Sequence, residues 1–161
     1  MISLRMRHVG IAVVVCLALM SLARVSDART ATGWAHGRKT KINLVNVSGV
    51  ELEEKTARAF RAMAKAARKA GFDLAIRSGF RSHEKQKELY RDFRKGRGHL
   101  AARPGYSNHQ NGKAVDIYID DYNIYEWLRN NARKFGFKKT VRREAWHWEY
   151  VGGERPQRTN S

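Results

Sequence analysis

Cysteine occurs once in the 161 residues, at Cys16, so no intramolecular disulfide can form and the paired-cysteine spacings of zinc fingers are absent. Any metal bound by this chain must be held by histidine and carboxylate. Acidic residues are also scarce, 15 Asp and Glu against 32 Lys and Arg. The resulting charge of +17 points to an anionic partner and says nothing about fold. No Gly-rich phosphate loop follows a candidate strand, and no internal repeat or low-complexity tract is present. What remains is ordinary for a globular protein. Hydrophobic residues at 42% and aromatics at 10% exclude full-length disorder, a collagen-like repeat and a pure coiled coil, and the length suits one domain.

Arg5, Arg7 and His8 form a basic start, Val9 to Leu22 is a nearly unbroken apolar run, and Ser26-Asp27-Ala28 places small residues where a signal peptidase reads. This pattern predicts a signal peptide over residues 1–28, with Ser21-Leu22-Ala23 as a second cleavage position. The run is short of the roughly 20 residues that a membrane span requires, which disfavours a retained anchor. An exported protein of the periplasm or cell envelope is expected, without a stable membrane span after cleavage.

Residues 29–47 lack a clear period and read as a lead-in segment, with a short extended piece at Ile42 to Val47. Ser48 and Glu51 have the spacing of a capping box. Leu52, Thr56, Ala59, Phe60, Met63, Ala67 and Ala70 then form one helical stripe, ended by Gly71. Phe72 to Ser78 alternates as a strand does, and Ser82 can cap a second helix to about Phe93 with Leu89, Tyr90 and Phe93 inward. Lys95 to Ser107 is a loop and Val115 to Ile119 a strand. Ile124, Trp127, Leu128 and Phe135 mark a third helix closed by Gly136, and Trp146 to Val151 a last strand. The strands carry polar residues instead of the continuous apolar runs of a buried parallel sheet. The prediction is a small α+β domain over residues 48–153, with helices on an antiparallel sheet and a tail at 154–161.

Three residues stand out chemically. Asp116 lies within the Val115 to Ile119 strand, where alternation puts it on the face away from Val115 and Ile117, and a carboxylate enclosed there demands a partner. His109 lies on the loop entering that strand, and His147 lies on the last strand. Two histidines and one aspartate make a catalytic zinc set, which uses three protein ligands and leaves a position open. Glu144, an odd three residues before His147, belongs on the turn entering the strand, where it could reach the activated water as a general base. A plainer reading stands beside this one: Asp116 pairs with Arg81 or Arg77, and Glu144 pairs with Arg142 or Arg143. His36, His83 and His99 have no ligand partners nearby and read as solvated.

Ser78-Gly79-Phe80-Arg81-Ser82 with Gln86, then Pro104-Gly105-Tyr106-Ser107-Asn108-His109 with Gly112, Ala114 and Asp116, then Glu144-Ala145-Trp146-His147 with Tyr150-Val151-Gly152, closely resemble the VanY-like zinc D-alanyl-D-alanine carboxypeptidases. The resemblance covers Ser48 to Gly152. It implies a small α+β fold with Zn2+ held by His109, Asp116 and His147, Glu144 as catalytic base, and Arg81 contacting substrate or the developing oxyanion. Gln86 and Ser107 match positions near the substrate. The chain departs from the family pattern at Lys113, usually apolar, at Ala145, often proline, and at Glu149, often arginine, and the stretch from Phe137 to Glu144 is short.

The function these readings predict is an exported zinc metallopeptidase that hydrolyses peptidoglycan stem peptides, as a D-alanyl-D-alanine carboxypeptidase. A peptidoglycan endopeptidase with the same chemistry is the nearest rival. A non-catalytic zinc-containing wall-binding module is a third reading, disfavoured because Glu144 and Arg81 are both present. Specific nucleic-acid binding is disfavoured because the basic residues spread over all three helices without a reading motif. The charge instead suits attraction to the anionic cell envelope surface.

Overall fold

The computed structural model describes residues 28–152; the expected signal peptide, but for its last residue, and the expected tail at 154–161 lie outside the described residues. Strand β1 (Ala28–Ala35), β2 (Arg38–Val47) and β3 (Val50–Glu53) form an antiparallel three-stranded sheet in that order. Helix α1 (Glu54–Lys69) follows, then β4 (Ile76–Ser78), helix α2 (His83–Arg94), a 3₁₀ turn at Asn108–Asn111 and β5 (Ala114–Ile117). Helix α3 (Tyr122–Asn131) runs on into a second 3₁₀ turn at Ala132–Phe135, and β6 (Phe137–Lys138) and β7 (His147–Tyr150) complete the fold. The second sheet has the order β4-β5-β7-β6, with every pairing antiparallel. This is the α+β architecture expected from the strand composition.

Three local expectations are corrected. The segment 29–47 is a β-hairpin, not an irregular lead-in. Ala35 pairs with Arg38 across a two-residue turn, His36 and Gly37, both with positive φ (51° and 76°). Val47 likewise pairs with Val50 across Ser48 and Gly49, at 53° and 87°. Two consecutive left-handed residues match the right-handed twist of flanking strands, which makes these efficient hairpin turns. Ser48 therefore sits in a turn and caps no helix. The cap of α1 is Glu53, whose side chain accepts from the Thr56 backbone N–H at 3.0 Å, while Glu51 pairs with Arg29 across the sheet. The β4 strand is also shorter than the alternation suggested, because its ladder to β5 holds only at Ile76↔Ile117 and Ser78↔Asp116.

The apolar stripe of α1 buries Phe60, Met63, Ala64 and Ala67, and its Arg58, Arg61, Lys65 and Arg68 are exposed. Phe60 meets Phe137 edge-to-face at 6.4 Å, and Val45, Leu52, Val115, Ile117, Leu128 and Trp148 complete the core. Ser82 caps α2 as expected, accepting from the Lys85 N–H. Leu89, Tyr90 and Phe93 are only half-buried; the one fully buried residue of α2 is Gln86.

Gly79, just after β4, joins the two sheets. A Cβ there would stand 2.5 Å from the Glu51 carbonyl oxygen and 2.6 Å from a Val50 methyl. Gly79→Ala is expected to lower stability by about 1–3 kcal/mol, the usual penalty for forcing extra volume into a packed site. A urea denaturation midpoint checks this, and an unchanged midpoint would mean that β3 yields without strain.

Candidate metal centre

The second sheet positions the two strand-borne donors by register. Asp116 on β5 and His147 on β7 are direct Cα partners, so their side chains leave the sheet side by side on the same face. Val115 and Ile117 point the other way into the core, which anchors β5 and fixes the aspartate outward. His109 comes from the 3₁₀ turn that leads into β5. Ser107 caps that turn, accepting from the His109 N–H at 3.3 Å, and Gly112 ends it in a left-handed conformation (φ 69°).

The three donors converge. His109 Nε2 lies 3.3 Å and His147 Nδ1 3.0 Å from the same oxygen, Asp116 Oδ1. Donor atoms about 2.0–2.1 Å from a tetrahedral zinc stand roughly 3.3 Å apart, so both distances to Asp116 suit such an ion, and all three donor atoms lie within 4.8 Å of one another. Both histidines are buried, and the Asp116 side chain retains 12% exposure. Each ring is held at its far nitrogen. His109 Nδ1–H donates to the Gly79 carbonyl at 2.7 Å, and His147 Nε2 lies 3.0 Å from Glu149 Oε1.

Electrostatics follow from this packing. Burial disfavours the Asp116 charge, but hydrogen bonds from the two histidines outweigh it and hold the carboxyl well below its usual range. Burial likewise opposes charge on His147, yet the hydrogen bonds to Asp116 and Glu149 raise it to about 9. The Asp116 carboxylate is thus kept ionised, as a metal ligand must be.

Glu144 lies on the turn before β7, as its odd spacing from His147 required. Its Oε2 is 3.9 Å from His147 Nδ1, within reach of the donor cluster without joining it. Arg142 and Arg143 are exposed and form no ion pair with Glu144 among the described residues. Arg77 is also engaged elsewhere, over the Trp146 ring at 5.8 Å. Arg81 is half-buried, with its backbone N–H on the His109 carbonyl and its Nη1 donating to Gln86 Oε1 at 3.0 Å. Burial lowers the Arg81 pKa against the opposing pull of the Asp116 and Glu144 charges.

Residues 49–153 match the family model described as VanY, D-alanyl-D-alanine carboxypeptidase. The chain belongs to the VanY family. Among curated relatives it is 36% identical over 118 residues to a D-alanyl-D-alanine carboxypeptidase of Enterococcus faecalis and 32% identical over 127 residues to the putative carboxypeptidase YodJ of Bacillus subtilis. These alignments take in 55% and 63% of this chain and only 44% and 46% of the relatives, so the VanY-family chain spans less than half their length. Among solved structures, VanYB in complex with D-alanine-D-alanine superposes with a TM-score of 0.60 at 30% identity, covering 69% of this chain and 78% of the other. A VanY variant from a VanB-type resistance cassette in complex with Zn(II) gives 0.58 and 30%, covering 69% and 79%.

The structure places Gln86, which the resemblance set near the substrate, and adds Gln110 and the Gly79 carbonyl, which the sequence did not single out. Gln86 is fully buried, with its Oε1 accepting from Arg81 and its Nε2 donating to the Ala102 carbonyl. Gln110 is fully buried too, accepting from the Gly105 N–H and donating to His83 Nδ1 at 2.9 Å. His83, read as solvated, is half-buried, with Trp34 of the hairpin stacked on it at 3.8 Å. His36 and His99 are exposed as expected. Gln86 was marked by the family resemblance, whereas Gln110, a buried glutamine with both ends of its amide hydrogen-bonded, leaves no trace in periodicity. Gly79 serves through its carbonyl, which no side-chain pattern reveals.

Proposed function

We propose that this chain is an exported zinc carboxypeptidase that removes the terminal D-alanine from peptidoglycan stem peptides. The observation that carries the reading is the convergence of His109, Asp116 and His147, with Glu144 beside them and Arg81 tied by its backbone N–H to the His109 carbonyl. His109 Nε2, Asp116 Oδ1 and His147 Nδ1 would hold the ion, which when bound supplies Lewis-acid polarisation of the scissile carbonyl and of the attacking water.

The remaining work falls to side chains. Glu144 takes a proton from the attacking water and returns it to the leaving amine, a role requiring proximity without ligation. Arg81, fixed by Gln86 and the His109 carbonyl, offers its guanidinium to the substrate carboxylate or to the oxyanion as it develops. Gln86 acts through Arg81. Ser107 acts first as the cap that sets His109 and stands near the substrate by family resemblance. The peptidase domain is taken as residues 48–153, braced by the preceding hairpin. The basic surface of α1 favours the anionic cell envelope, where such a substrate lies.

Incubation of the zinc-loaded protein with a pentapeptide ending in D-Ala-D-Ala, followed by mass measurement, tests this directly. Loss of one alanine from the pentapeptide is expected, with cross-linked dimers left intact. Release of monomers from dimers without loss of the terminal alanine would replace the carboxypeptidase by an endopeptidase.

A further inference from the structure

A neutral imidazole carries one proton, and at His147 two carboxylates stand ready to receive it. Asp116 Oδ1 is 3.0 Å from Nδ1 and Glu149 Oε1 is 3.0 Å from Nε2. If the proton sits on Nδ1, it satisfies Asp116 and closes the very nitrogen that faces the other two donors. If it sits on Nε2, Nδ1 presents its lone pair to the ion. The choice between these two tautomers decides whether His147 is a ligand at all.

We propose that Glu149 is the positioning residue that makes this choice, accepting Nε2–H of His147 and thereby aiming Nδ1 at the metal. Glu149 is two residues along β7 from His147, on the same face of the strand, so the reach is set by the pleat itself. Its side chain is 15% exposed. The arrangement at His109 supports the same logic, since the Gly79 carbonyl accepts Nδ1–H there and leaves Nε2 for the cluster. One ligand is oriented by backbone and the other by a replaceable side chain.

This inference rests on the zinc-site reading, and its test separates the two. Glu149→Leu keeps similar bulk but offers no acceptor, whereas Glu149→Gln retains a carbonyl oxygen that can receive Nε2–H. Zinc affinity measured by chelator competition is expected to fall about 10–100-fold in the leucine variant, the usual loss when the partner of a ligating histidine is removed. The glutamine variant is expected to bind measurably tighter than the leucine one, with urea midpoints in excess chelator alike for both and the parent. Leucine within threefold of the parent, alongside a His147→Ala variant that has lost zinc, would overturn the role of Glu149 and leave the metal site standing. Equal weakening in both variants together with a lower midpoint in chelator would overturn it in favour of a structural role. Zinc affinity unchanged in His147→Ala would overturn both readings.

Discussion

Glu144→Gln is expected to retain zinc at the parent level while turnover of a D-Ala-D-Ala peptide falls at least about a hundredfold, the lower end of what a general base contributes. The substitution preserves size and leaves the three donors untouched, since Glu144 Oε2 stands 3.9 Å from His147 Nδ1 and outside the donor set. Only the capacity to take and return a proton disappears. The loss should therefore fall on kcat, with KM changed much less. Metal analysis and steady-state kinetics on the same sample check both halves. Zinc lost together with activity would make Glu144 a ligand, and activity within a few fold of the parent would remove it from the chemistry.

His109→Ala and His147→Ala are each expected to leave less than about a tenth of an equivalent of zinc after dialysis, because each removes one of only three protein bonds to the ion. Each also strips Asp116 of one of the two imidazoles that stabilise its buried charge. A parent protein carrying about one equivalent, measured in parallel, makes the comparison decisive. Full zinc content in both variants would place the metal elsewhere.

The donor set was legible in the sequence because its members are separated by elements that can be counted. Alternation within Val115 to Ile119 put Asp116 opposite the apolar face, and the odd step from Glu144 to His147 put the glutamate on a turn; both placements hold in the structure. The first hairpin was not legible, for two reasons. Its β1 strand is half exposed and buries only Gly33, so it shows no hydrophobic alternation, and the turns before and after β2 are built from His36-Gly37 and Ser48-Gly49 instead of the usual Asn-Gly or Asp-Gly. The same turn misled the start of α1, since Ser48 and Glu51 have capping-box spacing while the true cap, Glu53, is a residue type that rarely caps. Partners that act through a backbone carbonyl or a buried amide, as Gly79, Gln86 and Gln110 do, depend on contacts between distant segments and have no signature in local order.

The direct pairing of Asp116 with His147 also bears on how the chain finds its fold. Side chains alternate between faces along a strand, so sliding β7 by one residue would bring Trp148 opposite Asp116 and turn the imidazole toward the core. Among all pairings these two short strands could sample, only the native one assembles three donors around a common point. The free energy of ion capture is then available to one alignment and withheld from its neighbours. The centre that would serve hydrolysis thereby also selects the correct alignment for the closing strand, one residue away from a failed sheet.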